Sequence, residues 1–180
     1  HYDGHCRERG YHPEEAGGTR LILGEGTTTF DDLRLGPQSQ RPAVQCGDLL
    51  VKDRQGNWTY HFAVVADDWQ QGVNLIIRGE DLLDSTGRQL QLAQGLGRSD
   101  APHFLHHPLI DDSSGKKLSK RDFSKGLRDY RAEGRSPEEV LGAAASQVGL
   151  RKQAGLLSAG EVSGLFLDEM IVAKWGLELK

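Results

Sequence analysis

The chain has 180 residues, 37% of them hydrophobic and 27% charged, with a net charge of −4 and a mean hydropathy of −0.54. That composition suits an ordinary globular protein of one domain or slightly more, and no apolar run approaches the ~18 residues a bilayer-spanning helix needs. Two cysteines, Cys6 and Cys46, are too few for a disulfide framework and point to a reducing, cytoplasmic setting.

In chain order, residues 1–46 are rich in Gly, Arg and polar groups, with short apolar runs such as Leu21-Ile22-Leu23. They read as loops with short strands. Asp48–Lys52 and Thr59–Val65 flank the Gly-containing turn Asp53-Arg54-Gln55-Gly56-Asn57, a pattern that predicts a β-hairpin. Val73–Gly79 is a nearly continuous apolar strand of the kind buried on both faces of a sheet. Asp84-Ser85-Thr86 predicts a helix start, running to Leu96 with Gly97 as the stop, and strand followed by helix indicates an α/β sheet. A break falls at Ser99-Asp100-Ala101-Pro102. Beyond Asp122 the pattern is helical. Ser136-Pro137-Glu138-Glu139 joins a cap, a first-turn Pro and acids at the positive end of the helix dipole, and Gly149 closes that helix. Ser158-Ala159-Gly160-Glu161 repeats the capping-box spacing.

Charge is unevenly spread. Lys116 to Arg135 carries eight bases against three acids, which reads either as a solvated basic surface or as a face for a polyanion. Within it lies Gly115-Lys116-Lys117-Leu118-Ser119-Lys120-Arg121. Lysines around a hydroxyl in a Gly-containing loop either form a solvated basic turn or follow a transferring phosphate. Tyr60 reads as a half-buried aromatic or a pocket hydroxyl. Arg78 reads as an ion-pair partner of Glu80 or Asp81, or as a fork for a carboxylate.

Four blocks occur in a fixed order. They are Tyr60-His61-Phe62-Ala63-Val64-Val65-Ala66-Asp67-Asp68 with Gly72-Val73, then Arg78 to Gln89, then Pro102 to Ile110, then the lysine loop. This order resembles class I glutamyl-tRNA synthetases. The resemblance implies an α/β fold: the second half of a class I synthetase nucleotide-binding (Rossmann-type) domain, followed by a small helical region. It implies that Lys117, Ser119 and Lys120 act on the ATP phosphates, that His106 joins Lys120 in binding ATP, and that Tyr60 and Arg78 hold glutamate.

Tyr2-Asp3-Gly4-His5-Cys6-Arg7 resembles half of the zinc site of the glutamyl-queuosine tRNA(Asp) branch of that family, with Tyr2 and Cys6 as ligands. The Cys-x-Cys pair that completes that site is absent, and two donors do not close a tetrahedral site. The cluster His103, His106, His107 also raises a metal reading, against a reading as ordinary strand histidines. The implied substrates are ATP, with Mg, and L-glutamate; the implied partner is tRNA, with queuosine in tRNA(Asp) as acceptor. The implied division is 1–46 as the remnant of an inserted zinc-binding or acceptor region, 47–122 as half of the catalytic domain, and 123–180 as a helical tRNA-contacting region.

The first nucleotide-binding half, with its ATP signature, is not in these residues, and the chain opens on His1 rather than Met. The chain therefore reads as the carboxyl-terminal half of a longer enzyme, inactive on its own. Two alternatives stand beside this: a noncatalytic RNA- or partner-binding module, and a fragment of a full glutamyl-tRNA synthetase charging tRNA(Glu).

Overall fold

A computed structural model describes residues 2–9, 17–109 and 126–167, in two compact units that part after His107. No helix among the described residues is long and apolar enough to cross a membrane.

The first unit is built on two sheets. Strand β1 (Thr19–Leu21) pairs antiparallel with β4 (Leu49–Lys52). Strands β2 (Thr28–Asp32) and β3 (Gly36–Gln40) form a hairpin whose turn is fixed by Asp32. One carboxylate oxygen accepts the N–H groups of Arg34 and Leu35, at 3.0 and 2.9 Å, and Gly36 supplies the left-handed backbone that the turn requires (φ 72°). This hairpin continues into parallel strands β6 (His103–His107) and β5 (Leu75–Gly79), in the order β3-β2-β6-β5. A 3-10 turn (Glu80–Ser85) and helix α3 (Thr86–Gly95) connect β5 to β6, as a parallel pair demands. Gly97, with φ 96°, ends that connection where the sequence predicts. Residues 17–46 thus fold into one unit with the segment that follows, through the β1–β4 and β2–β6 pairings.

The predicted hairpin after β4 is only partly formed. The turn is present: Asp53 accepts the N–H groups of Gln55 and Asn57 at 2.9 and 2.8 Å. The return leg shrinks to a single bridge, Lys52 with Trp58. Thr59 then ties its hydroxyl to the Leu50 carbonyl (2.8 Å), and the chain turns into helix α2 (Tyr60–Gln70). Aromatic and β-branched content favours a strand on propensity, but Phe62, Val65 and Trp69 also recur at helical spacing. Packing of Val65 and Phe62 on Leu49, Val51, Leu92 and Ala93 decides the matter. Each fully buried aliphatic in that core contributes roughly 1.5–3 kcal/mol. A short helix, α1 (Pro42–Cys46), leads into β4 and sets Pro42 against the first turn of α3.

β5 also differs from its prediction. It is the last strand of the described sheet, with Leu75 40% and Ile77 61% exposed. Ile76 faces Val65, Leu90 and Phe104. Among the described residues only one face of this strand is covered, so the continuous apolar run does not become a strand buried on both sides.

The second unit holds α4 (Leu127–Ala132), α5 (Pro137–Gln147) and α6 (Ala159–Val162), of which α5 and α6 begin at the predicted caps Ser136 and Ser158. Ser136 accepts the N–H of Glu139 at 3.2 Å, and Glu139 returns the bond to Ser136 N at 2.9 Å. Glu161 takes both the N–H and the hydroxyl of Ser158, at 2.9 and 2.7 Å. Such reciprocal caps are typically worth ~1 kcal/mol each.

Candidate functional site

The sheet register places Arg78 on β5 directly opposite His106 on β6. Helix α3 begins beside them, so Thr86 in its first turn and Gln89 three residues on, on the same face, reach the guanidinium. Arg78 Nε donates to His106 Nε2 at 2.9 Å, Nη1 to Gln89 Oε1 at 2.6 Å, and Nη2 to the Thr86 hydroxyl at 2.7 Å. Asp32, at the end of β2, closes the other side. Its second carboxylate oxygen meets His106 Nδ1 at 2.6 Å and accepts the backbone N–H of His106 at 3.0 Å. Arg34 from the β2–β3 turn donates to the His106 carbonyl at 2.5 Å and pairs with Glu80. His106 and Thr86 are fully buried and Asp32 is 2% exposed.

Burial sets the electrostatics. It holds His106 below the usual histidine range, against the pull of the Asp32 bond, with Arg78 adding to the depression. Burial pushes the Asp32 carboxyl up, but the bonds from His106, Leu35 and Arg34 outweigh that and leave it below the usual carboxylate range. His61 is held down by burial and then by Arg88 and Arg78. The imidazoles of His61 and His106 are therefore neutral near pH 7.

A stability consequence follows. Below about pH 6.5 the unfolded chain protonates these histidines while the folded chain resists, so the unfolded state binds more protons and stability falls as pH drops. The melting temperature should decline from pH 7 to 5, as unfolding free energy falls by up to about 1.4 kcal/mol per pH unit for one buried histidine. A melting temperature that is flat across that window would contradict neutral burial of His106.

Of the residues expected at the glutamate pocket, Tyr60 and Arg78 share the neighbourhood of His61: the Tyr60 ring sits edge-on to His61 at 5.5 Å, and His61 is joined to Arg78 through Gln89. Tyr60 and His61 line an open cavity of about 470 Å³ with Thr59, Arg20 and Arg88. Tyr60 is 56% exposed there. Glu80, one of the two acids weighed as a partner of Arg78, is paired with Arg34.

His106, expected among the ATP contacts, is instead enclosed, with its ring nitrogens turned to Asp32 and Arg78. His103 and His107 lie on the other face of β6 from His106, and among the described residues no group of three or more potential metal ligands occurs. Tyr2 and Cys6 do meet: the Tyr2 hydroxyl accepts the Cys6 N–H at 2.8 Å, and the hydrogen bond with the Cys6 side chain raises the phenol. They supply two donors, half of what structural zinc requires, so no role is derived through zinc. Lys117, Ser119 and Lys120 lie outside the described residues.

Sequence reasoning missed the support of Arg78. Thr86 and Gln89 sit within a quoted block but carry no local signal beyond helix spacing. Asp32 lies 74 positions from His106 and reads as a turn-capping acid.

Comparison with known proteins bears on the family and the fold. The family model for the catalytic domain of class I tRNA synthetases (E and Q) matches residues 8–172. A glutamyl-Q tRNA(Asp) synthetase of Burkholderia cenocepacia (strain HI2424) is 40% identical over 175 residues, which cover 96% of this chain and 54% of that protein. One from Vibrio vulnificus (strain CMCP6) is 40% identical over 127 residues, 71% of this chain and 41% of that protein. The chain thus spans about half the length of the curated relatives it matches.

Among solved structures, a glutamate tRNA ligase from Elizabethkingia meningosepticum, crystallised with its amino acid, aligns with a TM-score of 0.58 at 30% identity. That alignment covers 69% of this chain and 28% of the ligase. A glutamate-tRNA synthetase from Elizabethkingia anophelis aligns with the same TM-score over 88% of this chain and 43% of the other, at 22% identity, and speaks for the fold alone. With its mixed sheet, crossover helix and matched family model, the chain belongs to the class I tRNA synthetases (E and Q) and has the fold of their catalytic domain.

Proposed function

We propose that this chain is part of an enzyme that activates glutamate with ATP and transfers it to queuosine in tRNA(Asp). The observation that carries this is the state of Arg78. Arginine has five N–H donors, and three go to neutral acceptors on His106, Gln89 and Thr86. None of those partners is a carboxylate, and among the described residues the two donors left, one on each terminal nitrogen, are what a carboxylate fork takes. A half-buried cation whose hydrogen-bond partners are neutral gains most from an incoming carboxylate, and the Tyr60 hydroxyl would help to orient one.

In this reading Lys117, Ser119 and Lys120 follow the pyrophosphate as charge develops on it, and ATP enters as its magnesium complex. His106 serves the amino-acid side of the site, by holding Arg78. Residues 47–122 carry the chemistry with an upstream half, 1–46 belong to the inserted acceptor region, and 123–180 touch RNA. The exposed Arg128, Arg131 and Arg135 on and after α4 support a backbone contact of that kind.

The test is glutamate-dependent ATP–pyrophosphate exchange in the complete product of the gene; no exchange overturns the reading. Charging of queuosine-containing tRNA(Asp) against tRNA(Glu) then separates the acceptors. In the same assay Lys120→Ala should lower kcat about 100- to 1000-fold and leave the KM for glutamate nearly unchanged, since its charge is needed in the transition state. A change confined to the KM for glutamate would contradict that role.

A further inference from the structure

The buried hydrogen bonds around Arg78 admit only one direction. A guanidinium donates and never accepts, and an ionised carboxylate accepts and never donates. Arg78 Nε donates to His106 Nε2, so that nitrogen carries no proton. His106 then keeps its proton on Nδ1 and gives it to Asp32 at 2.6 Å. On the other side, Arg78 donates to Gln89 Oε1, which turns the Gln89 amide nitrogen to His61 Nδ1 at 3.1 Å. His61 accepts there. Its own proton therefore sits on Nε2, and His61 is one of the residues that line the cavity.

We propose that Asp32 is a positioning residue: by fixing the tautomer of His106 it keeps Nε2 an acceptor for Arg78 and so aims the spare N–H donors of the guanidinium, while Arg78 in turn, through Gln89, makes His61 a further N–H donor to an anionic acceptor. The inference rests on the reading of Arg78 as the partner of the amino-acid carboxylate. It adds His61 as a binding residue, and it assigns to a strand end 74 positions upstream of His106 the control of a site that Asp32 does not touch. Burial supports the assignment, because it keeps both imidazoles neutral and each with a single N–H.

Asp32→Asn tests it. Asparagine keeps the size of the side chain and an oxygen for the N–H groups of Arg34 and Leu35, but presents N–H to His106 Nδ1 and takes the acceptor away from the His106 backbone N–H. His106 must then move its proton to Nε2, where it opposes the Arg78 donor. The tautomers are read from long-range nitrogen–proton NMR of the imidazoles in this chain. The native protein should show His106 protonated on Nδ1 and His61 on Nε2, and Asp32→Asn should switch His106. In the complete gene product the same substitution should raise the KM for glutamate roughly 10- to 100-fold with kcat changed less than about threefold, a split that general loosening of the fold does not produce.

A native His106 or His61 carrying its proton on the other nitrogen overturns the proposal. So does a switched His106 with an unchanged KM. Should Asp32→Asn fail to fold, the native tautomers still decide the direction of the chain. Absence of glutamate-dependent exchange in the native enzyme would sink the functional reading instead, and leaves the tautomer measurement to judge the chain by itself.

Discussion

Arg78→Met should raise the KM for glutamate in pyrophosphate exchange at least about 100-fold and also lower the melting temperature of the first unit. Two losses combine. The spare donors on the terminal nitrogens disappear, and a charge-assisted fork of that kind is worth ~3 kcal/mol or more when shielded from water, which is about two decades in binding. The neutral groups around the guanidinium then lose their donor. His106 is fully buried, and its Nε2 would keep only the longer 3.3 Å contact with the Thr86 hydroxyl, a weakening that costs up to roughly 1–3 kcal/mol.

Arg78→Lys separates the two contributions. It keeps the positive charge but not the three-way fork, so it should recover part of the stability and little of the affinity. Exchange kinetics with varied glutamate, set beside thermal unfolding of the same variants, would check this. An Arg78→Met protein with native KM would remove the carboxylate-binding role altogether.

Why Arg78 was legible and its surroundings were not comes down to where the determinants lie. Arg78 sits in a contiguous block whose order is specific, and the helix signals after it are local: the start near Thr86, the stop at Gly97, and the Ser136 and Ser158 caps all appear in the structure. The cradle is assembled from positions 32, 86, 89 and 106, which the β2–β6 pairing and the β5–β6 register bring together. No periodicity carries that information.

The same distinction explains the misread helix. Tyr60 to Val65 is locally strand-like, and only the surface offered by Leu92, Ala93 and Val51 selects α2. Ile77 shows the converse: its apolar character predicts cover, but cover depends on what else packs on that face, which the strand itself does not encode. Function was read from clustered motif residues, whereas the devices that aim them were spread across the chain.

The largest purely structural effect should come from Gly142→Ala, in the middle of α5. Alanine is the better helix former by about 1 kcal/mol, so propensity alone predicts stabilisation. The geometry reverses the sign. A Cβ on Gly142 would fall on the carbonyl oxygen of Gly155, a backbone atom that no rotamer change can move aside.

Relieving that overlap means lifting α5 off the 155–157 segment. The Leu157 N–H to Glu138 carbonyl bond, 3.1 Å, would then break, and Leu157 and Ala145, now 4% and 6% exposed, would lose their burial. The net loss should be about 3 kcal/mol or more, within the range of overpacked backbone contacts. Gly160→Ala, in α6, has open space around the added methyl and should be neutral or slightly stabilising. Amide hydrogen exchange distinguishes the sites: in Gly142→Ala the α5 amides should lose protection while those of β5 and β6 keep theirs. If α5 stays as protected as in the native chain, the close approach of Gly142 to Gly155 does not hold that helix in place.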